Sequence, residues 1–226
     1  MSLRAIADAL LSSLFEPPCA ACARVLSHPL NGAVCAPCWA SLRRGAPLNE
    51  HLNGRRGVDW VCAVGHYEGR LRDIIHAMKY ERRRSIASPL GALMRASGAP
   101  LLCDADVAVP VPLHPRRERV RGFNQADDLA RQLGLPVASL LQRVRDTRSQ
   151  IDLPAEDRQR NVGGAFVMAE PPRPATAGPH IPVVVVLVDD VSTTGATLDA
   201  CARVLKTAGV REVRALTAAR VVTGRR

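Results

Sequence analysis

The stretch Val183–Thr197 constrains the fold of this chain most strongly. It begins with six consecutive aliphatic residues, Val183–Val188, without a polar interruption. A run of this length and composition is typical of a strand that is buried on both faces of a parallel sheet. Two carboxylates, a loop of hydroxyl side chains around one glycine, and a segment with helical periodicity over Leu198–Ala208 follow. This order predicts a strand, a loop and a helix of an α/β protein.

The loop between this strand and helix has the composition of a phosphate-binding site. Backbone N–H groups and the positive end of the helix dipole favour an anion there, and Gly195 allows a close backbone approach. Asp189 and Asp190 stand beside the loop as hydrogen-bond acceptors suited to two vicinal ribose hydroxyls. The predicted phosphate-binding residues are Ser192, Thr193, Thr194, Gly195, Ala196 and Thr197. An ordinary turn before a capped helix, with the acids as turn formers, is the alternative.

Two Cys-x-x-Cys pairs, Cys19/Cys22 and Cys35/Cys38, stand twelve residues apart. Four thiolates in two tight turns match the tetrahedral coordination that zinc prefers, and they leave no open coordination position. We therefore predict a structural zinc site with these four ligands. Two disulfides, or a redox-active Cys-x-x-Cys pair, are the alternatives.

The formal net charge of +10 comes almost wholly from arginine, since Lys79 and Lys206 are the only lysines. Such a chain should attract phosphorylated metabolites or nucleic acid. The low aromatic content argues against an extended base-stacking platform. No apolar run approaches the roughly 18 residues of a membrane span. Met1–Phe15 is predicted to be an amphipathic helix rather than a signal peptide, because Asp8 interrupts its apolar positions. We expect a cytoplasmic protein.

Periodicity predicts the remaining elements, with a domain boundary in the polar connector before residue 58. The predicted strands are Val58–Tyr67, Val107–Val111 and Val213–Ala219, and the predicted helices are Gly69–Tyr80, Ser85–Ser97 and Ala126–Leu133. Cys62, Cys103 and Cys201 lie in apolar surroundings and are predicted to be core residues.

A second group of basic residues is predicted to hold a pyrophosphate. Prolines should force an extended loop after Val107–Val111, at the sheet edge where α/β proteins bind ligands. His114, Arg116 and Arg117 lie on that loop, and Lys79 is a compact charge suited to a phosphate. A basic surface loop and a helix-end lysine with its charge in solvent are the alternatives. The polar segment 145–166 has the composition of a loop that closes over a ligand.

The strand, the two acids and the sequence Thr-Thr-Gly-Ala-Thr resemble the phosphoribosyl pyrophosphate (PRPP) motif of type I phosphoribosyltransferases. The chain as a whole is similar to the ComF/GntX family, which is associated with bacterial competence for DNA uptake. The motifs that carry this resemblance are the cysteine pairs, Lys79-Tyr80, Val109–His114, Arg121–Gln125, Thr147 with Gln150, Arg160–Val162 and the PRPP motif.

The resemblance implies a type I phosphoribosyltransferase fold, a parallel-sheet α/β core with flanking helices, over 58–226. It also implies an N-terminal zinc-finger module, similar to a double zinc ribbon, over 1–57. It implies PRPP with Mg²⁺ as ligand, Asp189 and Asp190 as catalytic residues, and Arg158 and Arg160 on a closing loop. The activity it implies is transfer of ribose 5-phosphate to an unidentified acceptor, with a role in natural competence.

Two other functions stay open at this point. One is a non-catalytic protein that binds PRPP and single-stranded DNA and works with the DNA-uptake proteins. The other is a zinc-ribbon nucleic-acid binder with a vestigial sugar-phosphate pocket, against which the intact acids and threonine loop argue.

Overall fold

A computed structural model describes residues 7, 17–43, 45–52, 57–145, 163–169 and 182–221. The helix predicted over Met1–Phe15 and the loop arginines Arg158 and Arg160 lie outside the described residues, apart from residue 7. Within these ranges, no helix has the length and apolar composition needed to cross a membrane.

A five-stranded sheet forms the core, with strand order β1-β2-β7-β6-β3. Its strands are β1 (Leu48–His51), β2 (Trp60–His66), β3 (Val107–Pro110), β6 (Val184–Ser192) and β7 (Glu212–Arg220). Only β1 pairs antiparallel with its neighbour, and the other three pairings of this sheet are parallel. A separate antiparallel pair joins β4 (Leu141–Arg143) to β5 (Phe166–Met168). The prediction of an α/β fold with a largely parallel sheet is confirmed.

Strand β6 lies between β7 and β3 and is buried on both faces, as its aliphatic run predicts. Val186 and Val188 pack into one hydrophobic cluster. Val185 and Leu187 pack into a second cluster on the opposite face. The strand continues through Ser192, so the two acids are strand residues. The prediction that Ser192 belongs to the loop was wrong, because it is the last residue of the strand.

Helices cover both faces of the sheet. They are α1 (Ala36–Arg43), α2 (Gly69–Tyr80), α3 (Ala87–Ser97), α4 (Ala99–Leu102), α5 (Pro115–Arg121), α6 (Gln125–Ala130) and α7 (Ala196–Thr207), with 3₁₀ turns at Pro29–Asn31 and Arg84–Ile86. Helix α2 has the predicted bounds, and its residues Ile74, Ile75 and Met78 are fully buried. Helix α7 buries Leu198, Cys201 and Leu205 against the other face. Each of these buried leucine, isoleucine and methionine side chains contributes about 1.5–3 kcal/mol to folding.

Helix α5 replaces part of the extended loop predicted after β3. Pro115 occupies the first helical position, where its fixed φ suits a helix and its missing N–H costs nothing. His114 precedes it and caps the helix, since its Nδ1 accepts a hydrogen bond from the backbone N–H of Arg116 at 3.3 Å. Arg116 and Arg117 therefore lie on the first turn of a helix, and only 111–114 is extended.

Two smaller predictions were also wrong. Cys103 is exposed, because it directly follows the last residue of α4 and its thiol lies beside the Asp104 carboxylate. Phe166, the last residue of the segment 145–166 that was predicted to be a loop, is instead the first residue of β5 and is buried in the same cluster as Leu141. Cys62 and Cys201 are core residues as predicted.

The cysteine-containing segment packs directly on the core of the sheet. Cys19, Cys38 and Trp39 share a hydrophobic cluster with Ile75 and Met78 of α2. Strand β1 precedes the boundary predicted near residue 57 and yet pairs with β2. The boundary itself stays a prediction.

Candidate functional site

A cavity of about 350 Å³ opens beside the carboxyl ends of the parallel strands. Its wall contains Asp189 and Asp190 from the end of β6, and Thr193 and Thr197 from the loop and first turn of α7. Further lining residues are Tyr67, Lys79, Tyr80, Arg117, Arg121, Asn124, Gln125 and Arg143. The fold therefore brings the predicted acids, two of the threonines, Lys79 and Arg117 to one place.

Lys79 and Asp190 form an ion pair in this cavity. Lys79 Nζ lies 2.8 Å from Asp190 Oδ1, and the two side chains are only 12% and 9% exposed. Burial by itself would lower the pKa of Lys79, but the Asp190 carboxylate, together with Asp189 and Tyr67, outweighs it and holds that pKa above its ordinary value. Lys79 is therefore a fixed cation, and each partner compensates the buried charge of the other.

Asp189 has a different environment from its neighbour. Burial raises its pKa to about 7, and the Asp190 charge acts in the same direction, while Lys79 opposes both. Asp189 Oδ1 also accepts a hydrogen bond from the backbone N–H of Asp190 at 2.8 Å. One member of the acid pair is thus ion-paired, and the other can gain or lose a proton near neutral pH.

The loop after β6 begins a helix of 12 residues. Gly195 caps it with φ +79°, a left-handed conformation that other residues adopt only with strain. Thr194 Oγ1 accepts a hydrogen bond from the backbone N–H of Ala196 at 3.4 Å. Ser192, Thr194 and Gly195 line a separate narrow cleft with Arg220 rather than the cavity itself, and the Ala196 side chain is buried.

A basic groove of about 520 Å³ adjoins the cavity. We use "basic groove" for the surface formed by Lys79, Tyr80, Arg82, Arg116, Arg117, Val120 and Arg121. Four of these residues, Lys79, Tyr80, Arg117 and Arg121, line both the cavity and the groove. Arg116 lines only the groove. His114 lines neither, so its structural role is that of a helix cap.

Sequence reasoning did not assign Tyr67, Arg121, Asn124, Gln125 or Arg143 to the site. Asn124 Oδ1 caps α6 by accepting from the backbone N–H of Ala126, and its Nδ2 donates to the carbonyl of Val111, both at 3.1 Å. The signal for three of these residues was present in the motif Arg121–Gln125, which carried the family resemblance without a role.

The four cysteines of the two Cys-x-x-Cys pairs form one cluster. Their sulfur atoms all lie within 4.8 Å of one another. The Sγ–Sγ distances are 4.0 Å for Cys19–Cys38 and 3.8 Å for Cys22–Cys35, far longer than a disulfide bond of about 2.05 Å. A tetrahedral zinc with Zn–S bonds of about 2.3 Å would separate its ligands by about 3.8 Å. The cluster therefore has the donor atoms and the dimensions of a tetrahedral metal site.

Backbone donors prepare one of these thiols for a metal. Burial by itself would raise the pKa of Cys19, but backbone N–H groups directed at its sulfur lower it to about 6. The N–H groups of Cys35 and Ala21 lie 3.3 and 3.5 Å from the Cys19 Sγ. A metal is bound by thiolates, so this arrangement favours coordination.

Known proteins match this chain over most of its length. The family described as phosphoribosyl transferase domain matches residues 119–226. Competence protein F of Haemophilus influenzae is 32% identical over 191 residues, which cover 79% of this chain and 81% of the relative. DNA utilization protein YhgH of Salmonella typhi is 33% identical over 208 residues, covering 86% and 80%. Its counterpart in Escherichia coli K12 is 34% identical over 190 residues, covering 78% and 74%.

The parallel sheet, the strand–acid–threonine loop and the matched domain define a protein of the phosphoribosyltransferase class. Within that class, the similarity to the competence and DNA utilization proteins extends through both parts of the chain. The chain belongs to the ComF family.

Proposed function

We propose that the protein binds PRPP together with Mg²⁺ in the 350 Å³ cavity, transfers its ribose 5-phosphate to a nitrogenous acceptor, and serves DNA uptake from the cytoplasm. The observation that carries the proposal is the acid pair with divided roles, Asp189 and Asp190, beside a hydroxyl-rich loop at a helix N-terminus. The competence and DNA utilization names of the relatives support the role in DNA uptake.

The 5-phosphate is proposed to bind on the loop from Ser192 to Thr197. The N-terminus of α7 offers backbone N–H groups and the positive end of a 12-residue helix. Thr193 and Thr197 reach the cavity and would add hydroxyl donors. Gly195 lines the neighbouring cleft, and its left-handed φ is proposed to set the turn that places Thr193 and Thr197 at the cavity.

Lys79 and the two acids are proposed to exchange partners when PRPP binds. In the ligand-free protein Lys79 neutralises Asp190. A pyrophosphate in the cavity would attract Lys79 together with Arg117, which frees Asp190 to accept, beside Asp189, hydrogen bonds from the two ribose hydroxyls. The energy of a buried ion pair is thereby replaced by contacts to the ligand.

In the proposed transfer, the bond between C1 of the ribose and the pyrophosphate oxygen breaks, and pyrophosphate leaves with the electron pair. A nitrogen of the acceptor forms the new bond to C1 and gives up a proton. Asp189 suits the role of proton acceptor better than Asp190, because its pKa of about 7 matches neutral conditions and Asp190 is ion-paired. Lys79 and Arg117 would stabilise the charge of the departing pyrophosphate.

The carboxylate oxygens of the cavity are donors of the type that Mg²⁺ accepts, and bound Mg²⁺ would neutralise phosphate charge. His114 and Arg116, which were predicted to bind the pyrophosphate, do not line the cavity. We propose that His114 acts indirectly by capping α5 and that Arg116 adds charge to the basic groove. Arg158 and Arg160 stay a prediction for a closing loop.

We further propose that the cysteine cluster binds one structural zinc. All four ligands are cysteines, which leaves no coordination position for a substrate. The cluster would therefore stabilise the segment that packs on α2 and take no part in the transfer.

Calorimetry with PRPP and Mg²⁺ tests the cavity, and a screen of base acceptors for pyrophosphate release tests the activity. We expect wild type to bind, Asp189→Asn to lose most of the affinity, and the control Asp73→Asn, on the partly exposed side of α2, to match wild type. Equal PRPP affinity in Asp189→Asn and wild type would contradict the binding site. Binding without pyrophosphate release across a broad set of acceptors would contradict the transferase.

The basic groove favours a second candidate function, a non-catalytic protein that binds PRPP and single-stranded DNA. The groove carries five arginine or lysine residues in addition to Tyr80, which is 55% exposed. The Arg121 guanidinium lies over the Tyr80 ring at 5.6 Å, so the ring is held in place beside the cations. A charged groove with an ordered aromatic ring is the arrangement that single-strand binders use.

Salt-titrated binding of a single-stranded oligonucleotide tests this candidate. Affinity should fall with salt, and each lost phosphate contact should reduce the log–log slope by about 0.7. Arg82→Gln and Arg116→Gln should lower the slope, whereas Arg95→Gln, an exposed arginine of α3 outside the groove, should not. Identical slopes in all three variants would exclude the groove as the binding surface.

A further inference from the structure

The segment between α5 and α6 fixes one amide side chain at the wall of the cavity. Gly122 ends α5 with φ +84°, which turns the chain sharply towards α6. Asn124 then ties the start of α6 to the carbonyl of Val111, the first residue after β3. Gln125, the first residue of α6, is only 1% exposed and lines the cavity. The backbone of Gln125 therefore has a defined position at the cavity wall.

Arg121 determines which end of this amide remains for another partner. Arg121 Nη1 donates to Gln125 Oε1 at 2.7 Å, a short, charge-assisted hydrogen bond. The carbonyl end is thus occupied, and the Nε2 end is the donor. Among the residues that the structure describes, no acceptor lies within hydrogen-bond distance of Nε2.

A buried amide N–H₂ without an acceptor is costly, commonly by about 1–3 kcal/mol, and is rare in folded proteins. Here the buried amide belongs to a residue that lines a ligand-sized cavity, beside Arg121, one of the four residues that line both the cavity and the basic groove. The neighbouring Arg121 is a cation, which favours an anionic partner for the amide. The missing partner is therefore expected to be an oxygen that only accepts hydrogen bonds, such as a phosphate oxygen.

We propose that Gln125 is a further binding residue of the site, whose Nε2 donates a hydrogen bond to a pyrophosphate oxygen of PRPP, and that Arg121 sets the orientation of its amide. The proposal rests on the proposed PRPP-binding function and adds a neutral donor to a subsite otherwise formed by cations.

Two variants of Gln125 separate its donor from its role in folding. Gln125→Glu keeps the oxygen that accepts from Arg121 and replaces the N–H₂ with a second oxygen. Gln125→Met removes both polar ends at a similar length. Gln132→Glu is the matched control, since it makes the same change of charge just after α6 on a partly exposed side chain that does not line the cavity.

Binding of PRPP, pyrophosphate and ribose 5-phosphate, each with Mg²⁺, is measured by calorimetry or competition, with thermal unfolding as the check of folding. We expect Gln125→Glu and Gln125→Met to weaken PRPP and pyrophosphate by about ten- to a hundredfold, as for loss of a hydrogen bond to a charged group. Ribose 5-phosphate binding should stay unchanged in both, and Gln132→Glu should match wild type throughout.

A loss of PRPP affinity below about threefold in a folded Gln125 variant overturns the inference, and a larger loss supports it. An equal loss for ribose 5-phosphate also overturns it, because the contact would then lie away from the pyrophosphate. Failure of wild type to bind PRPP at all would overturn the proposed function and this inference together. Normal wild-type binding with unaffected Gln125 variants would overturn the inference alone.

Discussion

Replacing Asp189 with asparagine should stabilise the ligand-free protein, even though the residue is proposed to bind the ribose. Burial and the neighbouring Asp190 raise the pKa of Asp189 from 3.8 to about 7. A carboxyl whose pKa is higher in the folded than in the unfolded protein stabilises the fold fully below the unfolded value and loses that contribution as the pH rises through the folded value. Asparagine keeps the oxygen that accepts a hydrogen bond from the Asp190 N–H, but it does not titrate, so its contribution to stability does not depend on pH.

The magnitude follows from the pKa. At about 1.4 kcal/mol for each pKa unit, the change from 3.8 to about 7 sets an upper limit of about 4 kcal/mol. Asp189 retains contact with solvent at the cavity, and Lys79 lies near it, so we expect about 2 kcal/mol. The increase in the free energy of unfolding caused by Asp189→Asn should be near zero at pH 4, grow between pH 4 and 7, and stay constant above pH 7.

Denaturant unfolding of the ligand-free protein at several pH values measures this difference. Asp190→Asn is the matched variant one residue away, and it should have the opposite sign because it leaves buried Lys79 without its carboxylate, at a cost of about 3–5 kcal/mol. The reasoning is refuted if Asp189→Asn destabilises the protein at pH 8, or if its effect is the same at pH 4 and pH 8.

Three further predictions concern other parts of the molecule. Elemental analysis should find one zinc per chain in wild type and much less in Cys19→Ser. The control Cys103→Ser, which changes an exposed cysteine outside the cluster, should keep its zinc, and equal zinc in all three proteins would contradict the assignment of the cluster as the zinc site. Gly195→Ala should cost about 1–2 kcal/mol in denaturant unfolding because of its φ of +79°, and an unchanged midpoint would argue against that conformation. Hydrogen bonding from Arg214 lowers the pKa of Asp104 to about 2, so its stabilising contribution is present above pH 3.8 and lost as the pH falls towards 2. Asp104→Asn should therefore lower the melting temperature at pH 7 and converge with wild type in acid, whereas a constant difference would contradict the ion pair.

The central strand and its helix were predictable because burial on two faces demands an unbroken aliphatic run. The end of the strand was not predictable from that run. Asp189 pairs with Thr217 and Ser192 with Arg220, so backbone pairing with β7 continues after the apolar residues stop. Polar side chains at the end of a strand look like a loop when only side chains are considered.

The site was predictable where a residue type is unusual for the chain. Lys79 is one of two lysines, and it lines the cavity; its proximity to a phosphate stays a prediction. The motif Arg121–Gln125 marked the segment, but the inward position of the Gln125 side chain was not predictable, because neither spacing nor charge distinguishes an inward amide from an exposed one. The helix at Pro115 could have been expected from proline in a first helical turn.

The position of β1 has a consequence for how this protein tolerates damage. Removing the residues before 58 would take away β1 and leave β2 as an unprotected sheet edge, whose first residue, Trp60, is already 41% exposed. An open edge of this kind recruits other chains by strand pairing. The same cut would uncover the apolar side of α2 that Trp39 covers. We therefore expect shortened forms to aggregate. We also expect proteolysis or oxidation of the cysteine segment to make the whole chain aggregate, not only the segment itself.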